Sequence, residues 1–191
     1  MNSNERIQKM IAQHSDIWKT HSAFMSYLRG GVRLALWKRH PVKIEFKKSK
    51  RFKIESSVKA KEGQPPKMVW GGECEICKGH FREAFLDVDH KSEKGCSLKD
   101  MDDIQNFVEH ITIVTFDDLR LLCKDCHTVV NHQQKTGYSF EKAKKDKEFI
   151  EIEKTKEFAS HLKKLGVTEI PKFKKDQATL LRNLMLESYN G

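Results

Sequence analysis

Apolar residues recur along this chain in helical stripes, interrupted by one stretch of strict alternation. Ile7, Met10, Ile11 and Ile17 form a stripe that predicts a short helix within Met1–Thr20. Ser22 is placed to cap a second helix running to about Lys38, with Phe24, Leu28, Val32 and Ala35/Leu36 on one side. Arg29 and Arg33 are four apart and share a face of it. Gly30-Gly31 predicts a bend, each glycine costing about 1 kcal/mol relative to alanine, and Pro41 is expected to end the helix. From Val42 to Val58 the pattern changes to apolar residues alternating with basic ones (Ile44, Phe46, Phe52, Ile54). That alternation predicts one or two short strands or an extended basic arm.

Glu62-Gly63-Gln64-Pro65-Pro66 reads as a linker or tight loop. Beyond it, strands are expected near Ala84–Asp89 and Leu119–Cys123, with helices over Asp102–Ile111 and from Lys124 to about Lys135. Ser139–Leu165 is a charged helical tract with Phe149, Ile150, Phe158 and Leu162 as its apolar members, punctuated by Gly166 and Pro171. A last helix is expected over Asp176–Ser188, with Leu180, Leu181, Leu184 and Met185 on one side. The fold class is α+β. Three regions follow from the pattern: an N-terminal helical and basic arm over 1–66, a central core over 67–138 and a C-terminal helical extension over 139–191.

At 191 residues with 38% hydrophobic and 33% charged, the chain has less to bury per residue than a typical enzyme. Small modules in that position usually need a staple such as a disulfide or a metal. No stretch approaches the roughly 20 apolar residues needed to span a bilayer, and Met1–Asp16 lacks the apolar core of a signal peptide. A soluble, cytoplasmic protein in a reducing compartment is expected, with no membrane partner. Oligomeric state is not legible.

Charge is concentrated. From Arg29 to Lys61 there are twelve basic residues against only Glu45 and Glu55, so this tract alone accounts for the chain's net charge of +9. Arg29, Arg33, Lys38, Arg39, Lys47, Lys48, Lys50, Arg51 and Lys53 are the candidates for nucleic-acid binding. Neutralising phosphates releases condensed counterions, which favours a polyanion as partner. DNA contacted through its backbone is the expected partner. A charge run by itself is also compatible with a solvated lysine-rich surface.

Of 5 cysteines, four fall in two Cys-x-x-Cys pairs, Cys74/Cys77 and Cys123/Cys126, with 45 residues between the pairs. Two residues between thiolates let both sulfurs face one ion, and two such turns complete a tetrahedral zinc site. The long excursion between the pairs leaves room for a functional element. Cys96 is left over as an ordinary free thiol.

The excursion contains Phe85-Leu86-Asp87-Val88-Asp89-His90, and His127 follows directly on Cys126. Cys-x-x-Cys, then Val-Asp-His, then Leu-Cys-x-x-Cys-His resembles the HNH nuclease family, most of all its small phage-encoded members. The resemblance spans about residues 22 to 140. The family's middle asparagine would fall near Asp118. Phosphodiester hydrolysis needs a base to activate water and a cation to stabilise the developing charge. At a strand end, Asp89 and His90 point to opposite sides. His90 would be the general base, its imidazole matched to the task by a near-neutral pKa. Asp89 would be a hard oxygen ligand for a catalytic Mg²⁺ or Mn²⁺ ion.

The resemblance implies a ββα-metal core, DNA endonuclease activity, His127 as second ligand of the catalytic ion and action in the cytoplasm of a phage's bacterial host. Asn131, four residues after His127 on the same helical face, is a further candidate ligand. His132 is expected to point elsewhere. The alternative is a non-catalytic, zinc-stabilised DNA- or RNA-binding protein.

Overall fold

A computed structural model describes residues 1–56, 62–92 and 97–187 of the chain. The end of the alternating stretch with Lys59 and Lys61, the thiol Cys96, and Ser188 of the last predicted helix lie outside the described residues. The chain forms two compact units, Met1–Cys123 and Lys124–Gly191. It is α+β, with two small antiparallel sheets in the first unit and helices in both.

The first unit opens with α1 (Ser3–Gln13), started by a capping box in which Asn2 and Glu5 each accept the other's backbone N–H. In α2 (His21–Val32) the cap is Thr20, two residues earlier than expected; its hydroxyl accepts from the Ala23 N–H at 3.1 Å. Gly30-Gly31 does not break the helix. The irregularity comes just after, as a π-helical turn over Arg33–Trp37.

The helical run ends at Trp37, ahead of Pro41 as expected, with His40 in extended backbone, but Pro41 also begins a new helix. It occupies the first turn of α3 (Pro41–Ser49), where its fixed φ is suitable and its missing N–H would have had no helical partner. The expected strand or extended arm is therefore helical up to Ser49. An i, i+2, i+4 series contains an i, i+4 pair, and the one residue of this helix that is fully buried is Phe46. Alternation is real only further on, in β1 (Phe52–Glu55).

β1 pairs with β2 (Met68–Glu73), and β2 pairs with β3 (His80–Arg82), all antiparallel. The second sheet is a pair, β4 (Leu86–His90) and β5 (Leu119–Cys123), in register from Leu86 opposite Cys123 to His90 opposite Leu119. Between them α4 (Ile104–Thr112) follows a 3₁₀ turn at Met101–Asp103. Ile7, Met25, Leu98, Phe107 and Ile111 form one core cluster, which ties α1, α2 and α4 together. Leu86, Val88, Leu119, Leu121 and Leu122 are buried along the β4–β5 pair.

Gly72 is where the two sheets meet. A Cβ there would lie 3.0 Å from Leu121 Cδ2, 3.1 Å from the Lys50 carbonyl oxygen and 3.2 Å from Leu86 Cδ1. Only a residue without a side chain lets β2 approach this closely.

The second unit is helical: α5 (Lys124–Thr136), α6 (Phe140–Thr155), α7 (Phe158–Lys164) and α8 (Lys174–Glu187). Ser139 caps α6, accepting from the Lys142 N–H. The single tract expected to Leu165 is in fact two helices, because Lys156 takes left-handed backbone (φ 58°) and ends α6. Phe149, Phe158, Leu162 and Leu181 form the core of this unit. Ile150 is only half-buried, and Leu184, expected on the apolar side of α8, is 38% exposed. Among the described residues no helix is long and apolar enough to cross a membrane.

Candidate functional site

The first cysteine pair lies in the turn between β2 and β3. The Cys74 N–H donates to the Gly79 carbonyl and the Lys78 N–H to the Cys74 carbonyl, each at 2.9 Å, with Lys78 in left-handed backbone. Glu75 fastens this knuckle to β5 twice. Its N–H donates to the Leu121 carbonyl at 2.9 Å, and its carboxylate accepts from the Leu121 N–H at 3.1 Å. Two residues beyond Leu121 the strand ends at Cys123, and Cys126 follows in the first turn of α5.

The four sulfur atoms lie within 4.8 Å of one another. Cys77 and Cys123 Sγ are 3.9 Å apart, close to the ~3.8 Å edge of a tetrahedron with ~2.3 Å zinc–sulfur bonds. Burial raises the Cys74 thiol pKa, but backbone hydrogen bonds from Cys123, Cys77 and Ile76 outweigh it and bring it down to about 7. Amide donors that favour the thiolate are the environment a thiolate–metal centre needs. The four cysteines, none in a disulfide, can hold a structural metal such as zinc. Among the described residues they are the one group of three or more Cys, His, Asp or Glu side chains so arranged.

At the far end of the β4–β5 pair stand Asp89 and His90. Asp89 is opposite Arg120, whose Nε and Nη2 both donate to Asp89 Oδ2, at 3.0 and 2.8 Å, with both side chains mostly buried. His90 stacks on Trp37 (ring centroids 4.2 Å, 29° between planes) and meets the His110 ring at 4.1 Å. Its Nε2 is buried with no hydrogen-bond partner. Burial and then the neighbouring His110 hold its pKa down at about 4, against the opposing pull of Asp89. The near-neutral imidazole expected from the sequence is thus a neutral one across the physiological range. Asp118, where the family's asparagine would fall, closes a capping box: its carboxylate accepts from the Thr115 N–H and hydroxyl at 2.7 and 2.8 Å. Those two bonds hold its carboxyl below the ordinary range.

On α5, His127 is half-buried in the first turn and Asn131, one turn on, is exposed. His132, given no role by the sequence, faces a buried carboxylate: its Nε2 is 2.8 Å from Asp146 Oδ2 on α6. Arg182 of α8 donates to the other oxygen at 2.9 Å. Asp146, 2% exposed, thereby links three helices. Nothing in the local spacing marks this triplet, because its members come from three separate helices.

Several residues of the basic tract are engaged within the protein. Lys47 Nζ donates to the Leu86 carbonyl at 2.7 Å, and Lys48 pairs with Glu45. Arg33 lies over Phe107 and Lys50 over Phe46. Arg51 and Lys53 both approach the half-exposed Trp70 ring, at 4.5 and 4.2 Å. Arg29 donates to the Ser26 hydroxyl, while Lys38 and Arg39 stand exposed after the π-helical turn. Compared with protein-family models, with curated proteins and with solved structures, the chain matches none.

Proposed function

We propose that this protein is a metal-dependent endonuclease of the HNH type that hydrolyses DNA phosphodiester bonds. The observation that carries the reading is the run of elements around the cysteine cluster: an antiparallel strand pair with Asp89-His90 at one end, Cys123 at the other, and a helix opening with Cys126-His127. Catalysis on a phosphodiester needs its groups held rigidly. A tetrathiolate staple at the strand–helix junction supplies rigidity that so lightly apolar a chain would otherwise lack.

In this reading His90 takes the proton from the attacking water. It is neutral at pH 7, so its lone pair is available without prior deprotonation. Trp37 and His110 fix the plane of its ring. Asp89, His127 and, as a further ligand, Asn131 would hold a Mg²⁺ or Mn²⁺ ion. Such an ion stabilises negative charge on the phosphate and on the leaving oxygen. To serve as a ligand, Asp89 must share or exchange its contact with Arg120. The exposed members of the basic tract, Lys38 and Arg39 first, would contact the DNA backbone without reading sequence.

The Asp89–Arg120 pair also favours a second reading, a zinc-stapled nucleic-acid binder without catalysis, because a guanidinium already satisfies the carboxylate that the cation would need. Supercoiled plasmid separates the two. Purified protein with Mg²⁺ or Mn²⁺ should nick or linearise it, and His90→Ala should abolish cleavage while retaining binding. Equal cleavage by both proteins would remove His90 as base, and binding without cleavage in either metal would leave the second reading.

A further inference from the structure

The second unit contains a cleft of ≈ 440 Å³ lined by side chains of α6, α7 and α8. Four cations border it, Lys156, Lys174, Lys175 and Arg182, against one carboxylate, Glu153. Phe149 and Phe158 also line it and are 3% and 5% exposed.

The three lysines stand where local preferences would not put them. Lys156 occupies the left-handed position that ends α6, which glycine or asparagine takes without the steric penalty a lysine meets. Lys174 and Lys175 open α8, the end of a helix that disfavours positive charge, although Asp176 follows them. Residues that break local rules without a structural return mark functional surfaces. Among the described residues none of these lysines has an ion-pair partner. Arg182 is different: its hydrogen bond to buried Asp146 and its place over the Phe149 ring, at 5.4 Å, fix its guanidinium at the rim.

We infer that this cleft binds backbone phosphate of DNA, giving the C-terminal unit a docking site of its own, distinct from the Arg29–Lys53 tract. The inference rests on the nucleic-acid reading above and extends it. Phosphate is the group held, because the two aromatic rings that line the cleft, Phe149 and Phe158, are buried and present no face on which a base can stack. Three unpaired ammonium groups and one fixed guanidinium match the charge and acceptor oxygens of a phosphodiester.

The test uses the full-length zinc-loaded chain, with no other divalent ion added, and a fluorescent 20-base-pair duplex titrated across a salt series. Each lysine that neutralises a phosphate contributes about 1 to the log–log salt slope. The Lys156→Gly, Lys174→Gln, Lys175→Gln triple variant should therefore show a slope shallower by about 3. Lys156→Gly alone should lower affinity and flatten the slope by about 1 while its thermal midpoint stays level or rises, since glycine suits that backbone. A purely structural lysine would not produce that opposition.

A triple variant with the parent's affinity and slope overturns the cleft while leaving the nucleic-acid reading standing. A parent that binds the duplex with no salt dependence overturns both. A triple variant that loses binding to structured RNA but keeps duplex binding overturns the assignment to DNA.

Discussion

Replacing Asp146 tests whether one buried carboxylate organises the C-terminal helices. Its side chain is 3% exposed and accepts from His132 at 2.8 Å and from Arg182 at 2.9 Å. In Asp146→Ala both bonds go. Arg182 is 48% exposed and can turn to water, so its loss is small. His132 is 19% exposed, and its ring nitrogen is left largely buried without a partner, which costs about 1–3 kcal/mol. With the charge-assisted bonds themselves, the total comes to about 3 kcal/mol, the low end for a broken buried pair.

Asp146→Asn keeps the shape and can present its oxygen to Arg182 and its amide to a histidine that accepts. It should cost only about 1 kcal/mol. The assay is urea unfolding of the zinc-loaded protein followed by two signals. Trp18, Trp37 and Trp70 all lie before Cys123, so tryptophan fluorescence reports the first unit, whereas far-ultraviolet circular dichroism reports helices in both. Asp146→Ala should move the circular-dichroism transition to lower urea. An alanine variant within about 0.5 kcal/mol of wild type would refute the view of Asp146 as a buried charge that joins three helices.

Three further outcomes follow from the first unit. The purified protein should carry one zinc per chain, and Cys123→Ser, which removes a thiol that is 3% exposed, should lose the metal and unfold the β5 region, as read by metal analysis and amide exchange. Gly72→Ala should destabilise the first unit by about 1–3 kcal/mol in fluorescence-monitored urea unfolding, because the Lys50 carbonyl at 3.1 Å is backbone and cannot move aside cheaply.

The third concerns acid. His90 has a folded pKa of about 4, below its ordinary 6.5, so between these values the unfolded chain binds more protons and stability rises with pH. Its contribution is complete above pH 6.5 and is lost as pH falls toward 4. Measured against His90→Phe, which cannot titrate, wild type should lose on the order of 1 kcal/mol more over that window, solvent at the ring having reduced the effect. Parallel pH profiles would contradict a buried neutral imidazole.

What could be read in advance was what is local. The limits of β5 were legible because Leu119–Cys123 is a short stretch, apolar except for Arg120, that starts after Asp118 and ends at the first member of a cysteine pair. The metal cluster was legible because its spacing is fixed by thiolate geometry. Pro41 was read correctly as the end of one helical run, but its second role as the start of α3 was missed, because proline marks a helix start as readily as a helix stop. The break at Lys156 was invisible because lysine stands where glycine would have announced it.

The environment of each chemical group was hidden for a different reason. Arg120 reaches Asp89, Glu75 reaches Leu121 and Trp37 reaches His90 across 31 to 53 positions, and no periodicity encodes such pairs. For His90 this changes the chemistry quantitatively. An Asp-His dipeptide suggests an imidazole with its ordinary pKa, but the fold places the ring against Trp37 and His110 and holds it near 4. A base that weak accepts a proton less readily than a near-neutral one. Lying mostly buried, with an unpartnered Nε2, it is also never lost to protonation at neutral pH. In the proposed reaction the motif would supply the reacting atoms, and the surrounding rings would determine how strongly the nitrogen can act.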